Sequence, residues 1–472
     1  RLTELTPALL EAFGGTRRAD EALIRFDAFL AGLPAGIQLF SLLQSNPALL
    51  RLLATIMGAA PRLAQIITRR PHVFDGLLDP MLMAELPDRR YLSDRLASFL
   101  EGVRLHEEIL DRLRIFAAEQ KFLIGIRLLT GAIDATRAGK AFSDLADLTI
   151  AAALDAVRAE FVARHGRISG DRVAILGMGK LGSRELTAGS DVDLILLYEH
   201  DEDAAESDGE KPLAPSHYFA RLTQRLIAAV SAPTAEGVLY EIDMRLRPSG
   251  NKGPVATHMA AFRKYQSESA EIWEHMALTR ARGIAGDADF RATVEADVAA
   301  ILEAPHDRAR VMREAREMRA LIEKEKPPAD AWDIKLIPGG LIDLEFIAQV
   351  AVLTGGLSGA GSGAGKKTAT AEVLAHLAAG FADPQTRSEL VEAHALYSVL
   401  TQIIRLCLTG AFERKDVPPG LADLLLRSTD MPELGVLEAH LKETSRRVRK
   451  HFDALLRNRP DQANTAAPSR DA

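Results

Sequence analysis

Cysteine is nearly missing from this chain: Cys407 is the only one in 472 residues. A single thiol excludes a disulfide within the chain and any metal centre built from several cysteines. The twelve histidines are scattered, with no paired spacing of the HExxH kind. Long basic tracts are missing too. Net charge is −7, whereas a dedicated nucleic-acid binder is more often basic, so nucleic acid is not expected as a partner. No signal-peptide pattern is present. The longest uncharged stretch, residues 28–50, has the length of a membrane span. It carries Pro34, Gln38, Gln44, Asn46 and Pro47, which make it a helix, a turn and a second helix. These absences lead us to expect a cytoplasmic chain with no membrane association. It starts at Arg1 rather than Met, as a piece of something longer would. Aromatic residues are few at 5%, alanine and leucine dominate, and that favours helices.

Helical period fills most of the chain and is interrupted once. Apolar content of 47% and a length of 472 residues allow two or three globular domains. Up to about residue 165 the pattern is helical, as in the run Leu92, Leu96, Leu100, Val103. Pro34, Pro47, Pro61, Pro71, Pro80 and Pro87 divide the first part into short helices. Residues 166–290 differ. Val173 to Leu176 reads as a strand, and so does the apolar run that follows Asp193. Residues 201–211 read as an acidic, solvated loop. A helix is expected near Ser216, with Phe219, Leu222, Leu226, Ile227 and Val230 on one face and Pro233 at its end. Val238 to Leu246 reads as an alternating strand. Beyond about 291 the helical pattern returns. Residues 355–367 are rich in glycine and serine and read as a flexible linker.

Chemistry concentrates at Asp191 and Asp193, two apart where a strand begins. Residues i and i+2 of a strand point the same way. Two carboxylates side by side repel, and burial adds to the cost, so the arrangement calls for a cation. Hard oxygen ligands suit Mg²⁺, which takes one or two carboxylates plus substrate phosphates. The Gly182-Ser183 turn offers close backbone approach to a triphosphate, with Lys180 and Arg184 nearby. Asp243 lies on another strand, on the same face as Arg245 and Arg247. Three acids can hold two metals, and arginine forks can take phosphate charge. Two rival phosphate motifs are weaker. Gly177-x-Gly179-x-x-Gly182 imitates a dinucleotide fingerprint, but only residues 183–190 separate it from the next strand, too few for a helical crossover. Residues 361–368 imitate a P-loop but place Lys367 where Ser or Thr should stand. The bland alternative makes Asp191 a turn cap and Asp243 a partner of Arg245.

The stretch GMGKLGSRELTAGSDVDLILLY resembles the nucleotidyltransferase signature of the DNA polymerase β superfamily. In detail it is similar to the glutamine synthetase adenylyltransferase family, with LYEIDMRLRPSGNKGP, IWEHMALTRARGIAGD and IKLIPGGLIDLEFIAQ following in order. The resemblance implies an α+β fold: a polymerase β-like domain with a small mixed sheet, flanked by helical domains. It divides the chain into a helical domain (1–120), a catalytic domain (121–295), a helical bundle (296–459) and a disordered tail (460–472). By this resemblance members carry two related halves, the amino half removing AMP from glutamine synthetase by phosphorolysis and the carboxyl half adding AMP from ATP. RPSG and the WEHxALxRAR block resemble the carboxyl, adenylylating half; Gly189 departs from a serine common in the family.

The resemblance implies that Asp191, Asp193 and Asp243 hold Mg²⁺, and that Asp243 also serves as base toward a tyrosine hydroxyl. Lys180, Gly182, Ser183 and Ser190 would meet the ATP phosphates, with Arg245 and Arg247 either assisting or bridging within the sheet. Glutamine synthetase would be the protein substrate, with the PII signal protein and glutamine as effectors. Asp343 and Glu345 sit i and i+2 on an expected helix, at an interdomain contact or the pocket rim. Trp273, Met276 and Ala277 are expected to pack in the core, and Arg446, Arg447, Arg449 and Lys450 to form a solvated face. Phosphorolysis, a non-catalytic regulatory module and an RNA-tailing enzyme are the alternatives.

Overall fold

Proline sets where the first helices begin. In the computed structural model Pro47 and Pro61 open two of them, where the missing amide hydrogen costs nothing. The structure describes residues 2–14, 19–33, 36–71, 73, 74, 86, 88–358, 369–408, 410 and 412–457. Pro34, Pro80, Pro87, the P-loop imitation at 361–368 and the 460–472 tail lie outside the described residues.

The early helices are α1 (Leu2–Gly14), α2 (Ala19–Ala31), α3 (Gly36–Ser45), α4 (Pro47–Ala59), α5 (Pro61–Arg69) and α6 (Arg89–Leu100). Leu92 and Leu96 are buried in α6 as their spacing requires, but the helix stops at Leu100 and Val103 falls beyond it. Two long helices follow, α7 (His106–Leu129) and α8 (Ala135–His165). Among the described residues no single helix is long and apolar enough to cross a membrane.

The sheet comprises β1 (Arg172–Gly177), β2 (Val192–Glu199), β3 (Ile242–Asp243), β4 (Ala256–His258) and β5 (Arg282–Gly286). β1 lies between β2 and β5 and is antiparallel to both. β3 and β4 both pair with β2 in parallel. The short connection from β1 to β2 holds only the one-turn helix α9 (Gly179–Gly182). The pair therefore runs antiparallel, and the dinucleotide reading fails on topology. The fold is α+β with a small mixed sheet in a mainly helical chain.

One strand is shorter than its alternation suggests. Of residues 238–246, only Ile242 and Asp243 pair. The Arg245 amide donates to the Asp243 carboxylate, and Arg247 N and Gly250 N bond back to Met244 O and Arg247 O. These local bonds turn the chain away from the ladder.

The expected helix near Ser216 is α10 (Pro215–Ser231), with Phe219, Leu222, Leu226 and Val230 buried. The remaining helices are α11 (Met259–Glu268), α12 (Ile272–Leu278), α13 (Ala288–Glu303), α14 (Arg308–Glu325), α15 (Leu341–Leu353), α16 (Thr370–Ala375), α17 (Pro384–Cys407), α18 (Pro419–Thr429) and α19 (Leu434–Leu455). In α12, Ile272 and Met276 turn inward at i, i+4, which leaves Trp273 37% exposed rather than in the core. The late helices do not simply follow the sheet. α17 packs on α5, α7 and α8, and α18 packs on α4, so the first and last helical regions share one core. The expected solvated face of α19 is partly inward: Arg449 pairs with Asp343 and Arg447 with Glu389.

Candidate active site

Strand pairing brings the three carboxylates together. Val192 opens β2 and donates its amide to Glu241 O at 2.9 Å. That bond sets a parallel register in which Asp193 stands directly opposite Asp243. Asp191 precedes β2 by one residue, exposed, while Val192 between the two acids is fully buried. Burial is the largest cause pushing the Asp193 carboxyl up, to about 6, and the charges of Asp191 and Asp243 add to it. Arg280 and Lys335 pull the other way. Asp243 is held below the usual carboxylate range, chiefly because Arg245 hydrogen-bonds it. Arg245 Nε reaches both oxygens, at 3.0 and 2.8 Å, and Nη2 adds a further bond.

The donors suit a hard divalent cation. The carboxylates of Asp191 and Asp193 accept no hydrogen bond and form no ion pair among the described residues. Gly179, at φ +53°, presses its Cα so close to Asp193 that a Cβ there would collide with Oδ2. An all-oxygen pair with uncompensated repulsion beside a bare backbone fits Mg²⁺. Asp243 joins such a set only on leaving Arg245. With that pairing intact, no group of three His, Cys, Asp or Glu side chains is arranged for a metal among the described residues.

The Gly182-Ser183 turn has a different use from the one expected. The Gly182 amide donates to Met178 O at 3.0 Å and the Ser183 amide to Gly179 O at 3.1 Å. Neither is left for a phosphate. A Cβ on Gly182 would run into the carbonyls of Arg280 and Gly177, so glycine is required by packing. The buried Ser183 hydroxyl accepts from Arg280 Nη2 at 2.8 Å. Ser190 is tied back to Thr187 through its amide at 3.1 Å and through its hydroxyl. Arg247 is buried and donates to Met244 O at 2.8 Å and to Gly253 O, so it shapes its own loop. Arg184 turns to Asp144 on α8. Lys180 keeps its ammonium unpaired, and burial lowers it to about 8.

An ionic network behind the carboxylates escaped the sequence reading. Glu185 accepts from Arg280 (3.2 Å), from Thr370 N and Oγ1 (3.0 Å each), and lies 3.4 Å from His394. Its carboxyl falls to about 2: burial opposes ionisation, and His394, Arg280 and Ser183 outweigh it. Arg280 also pairs with Glu345 at 3.0 Å. A cavity of about 530 Å³ opens here, lined by Lys180, Glu185, Arg280, Glu345, His394 and Gln402 among others, and the three aspartates are not part of its wall. Glu185 and Arg280 lie inside blocks that the resemblance singled out, so a signal existed; His394 had none. The two α15 acids diverge, as i, i+2 on a helix must. Glu345 faces Arg280. Asp343 is fully buried, accepting from Arg319, from Gly339 N at 2.7 Å and from Arg449 at 3.2 Å.

Residues 50–297 match the family model described as glutamate-ammonia ligase adenylyltransferase, and residues 311–456 match that of GlnD PII-uridylyltransferase. A bifunctional glutamine synthetase adenylyltransferase/adenylyl-removing enzyme of Mesorhizobium japonicum is 75% identical over 457 residues, covering 97% of this chain and 46% of that protein. Relatives of the same description from Brucella melitensis and Agrobacterium fabrum are 64% and 60% identical, again over 97% of this chain and 46% of theirs. The chain thus spans about half the length of the curated relatives it matches. The carboxyl-half assignment is corrected: the comparisons place the chain on the amino-terminal half of these proteins.

Proposed function

Since this chain belongs to the glutamate-ammonia ligase adenylyltransferase family, we propose that it transfers AMP from ATP to a tyrosine hydroxyl of glutamine synthetase. The observation that carries the reading is the register of β2 and β3, which sets Asp193 against Asp243 with Asp191 alongside. In the reaction the phenolic oxygen forms a bond to the α-phosphorus, the bond from that phosphorus to the bridging oxygen breaks, and pyrophosphate departs. Asp191 and Asp193 would hold Mg²⁺, with Asp243 joining them; the ion supplies charge neutralisation at the phosphates. Arg245, mostly exposed and bound only to Asp243, can move onto phosphate oxygens. That movement frees Asp243 to accept the phenolic proton, which a group of pKa near ~10 does not release unaided at neutral pH. Lys180 adds positive charge beside the phosphates. Ser190 keeps the turn before Asp191 closed.

The match over residues 311–456 to a PII-uridylyltransferase model supports regulation linked to the PII protein, with glutamine as a second effector. The reading places the protein in the cytoplasm. A second direction, phosphorolytic removal of AMP from the modified synthetase, is favoured by the amino-terminal placement of the match. One experiment separates the two. The chain is incubated with Mg²⁺ and α-labelled ATP plus unmodified synthetase, and in parallel with orthophosphate plus AMP-modified synthetase. Label on the synthetase supports addition; release of ADP supports removal. Neither product, with PII protein and glutamine each supplied, refutes both.

A further inference from the structure

Several cations gather beside the carboxylates without an acid of their own. Lys180 on α9, Arg62 on α5, Arg405 on α17 and Lys335 just before α15 form no ion pair with a carboxylate among the described residues. They come from four elements that lie far apart in the chain. The Arg62 guanidinium rests against Gly189, in the turn that delivers Asp191, so tightly that a Cβ on Gly189 would collide with Nη1. Gly189 also sits at φ +69°. Gly189 is therefore the residue that lets an arginine from the first helical region reach the turn before Asp191.

Arg62 Nε donates to the carbonyl of Leu408 at 3.3 Å. Leu408 lies three residues past Arg405, at the end of α17. Burial and the charge of Arg405 hold the Arg62 guanidinium below its ordinary value, and Arg405 acts on Lys180 in the same sense. Arg62 and Lys180 are half-buried while Arg405 and Lys335 are exposed, and like charges brought together repel until an anion joins them. The same reasoning that asks for a cation between the aspartates asks for an anion here. Arginine forks match phosphate oxygens two at a time.

The geometry points to Arg62 and Arg405 as a two-sided clamp, one arm from each helical region, for the phosphates beyond the α-phosphate of the nucleotide. This rests on the nucleotidyl-transfer reading and adds residues that lie outside its signature blocks. The clamp serves either direction: it holds departing pyrophosphate in AMP addition and attacking orthophosphate in AMP removal. Lys335 acts on both Lys180 and the Asp193 carboxyl, which ties this group of cations to the acidic pair.

The test compares ATP with AMP, because AMP lacks the clamped groups. Binding of each to the full chain is measured by titration calorimetry with Mg²⁺, for the wild type, Arg62→Gln, Arg62→Lys and Arg405→Gln. Each Gln variant should weaken ATP about tenfold and leave AMP within about twofold, and Arg62→Lys should recover part of the loss. Arg405 is exposed, so its variant keeps the fold and carries the test if Arg62→Gln loses stability. Equal weakening of ATP and AMP, or unchanged ATP binding in Arg405→Gln, overturns the clamp. Absence of binding of both ATP and ADP by the wild type overturns the clamp and the nucleotidyl-transfer reading together. Normal AMP transfer with unaltered ATP affinity in the variants overturns the clamp alone.

Discussion

Replacing Asp193 by Asn should make the protein more stable and less active. The Asp193 carboxyl is raised from 3.8 to about 6 by burial and by the charges of Asp191 and Asp243. A raised carboxyl pKa means that ionisation is harder in the folded chain than in the unfolded one. This group therefore contributes most to stability below the unfolded value near 4. Its contribution falls as pH rises toward 6 and is flat above about 7. A shift of roughly two units converts to about 3 kcal/mol at most, and partial exposure of the side chain lowers that to about 1–3 kcal/mol. Asn keeps the shape and removes the charge. For 472 residues the unfolding entropy is about 1 kcal/mol/K, so Asp193→Asn should melt about 1–3 °C above wild type at pH 7.5. The difference should shrink to nothing below about pH 4. Added Mg²⁺ should raise the wild-type melting temperature more than the variant's, while AMP transfer falls at least about a hundredfold. Calorimetry across pH 4 to 8 checks the first part and the labelling assay the second. An Asn variant that melts lower at pH 7.5, or a gap that does not change with pH, would refute the idea that three carboxylates repel one another here.

Two further substitutions test separate parts of the structure. Gly179→Ala places a Cβ in the space of Asp193 Oδ2 at a backbone φ of +53°; it should cost about 1–2 kcal/mol of stability and about a hundredfold in AMP transfer, read by thermal melting and labelled-AMP incorporation, and full activity would show that Asp193 tolerates displacement. Asp343→Ala strips the fully buried Arg319 of its buried carboxylate and leaves it Glu323; urea denaturation should show a loss of about 3 kcal/mol, with activity per folded molecule unchanged, whereas lost activity at full stability would move Asp343 into the site.

Local pattern and tertiary contact contributed differently to this protein. Spacing of two beside an apolar run predicted that Asp191 and Asp193 share one side of a strand; the structure starts β2 at Val192, so Asp193 lies in the strand and Asp191 just before it. The eight residues between Gly182 and Asp191 were enough to exclude a helical crossover, since chain length limits what a connection can span. Helical period identified α10 and the buried faces of α6 and α19, and Pro47 and Pro61 marked where α4 and α5 start. The partners of those elements were a matter for the folded chain. Gly182 and Ser183 had the composition of a phosphate turn, yet their amides close a helical turn and their packing is against Arg280, almost a hundred residues later. Arg245 was legible as a neighbour of Asp243, but whether it met phosphate or carboxylate depended on where the chain turned after β3. Asp343 and Glu345 looked alike in sequence; the helix sent one into a buried ion pair and the other toward Arg280. Arg62 gave no signal at all, because its meaning comes from Gly189 and Leu408, which only the fold brings to it. Sequence alone settled much of the periodic structure, where the physics acts between near neighbours. Only the tertiary structure decided which charges meet, because burial and ion pairing depend on residues that the chain itself keeps far apart.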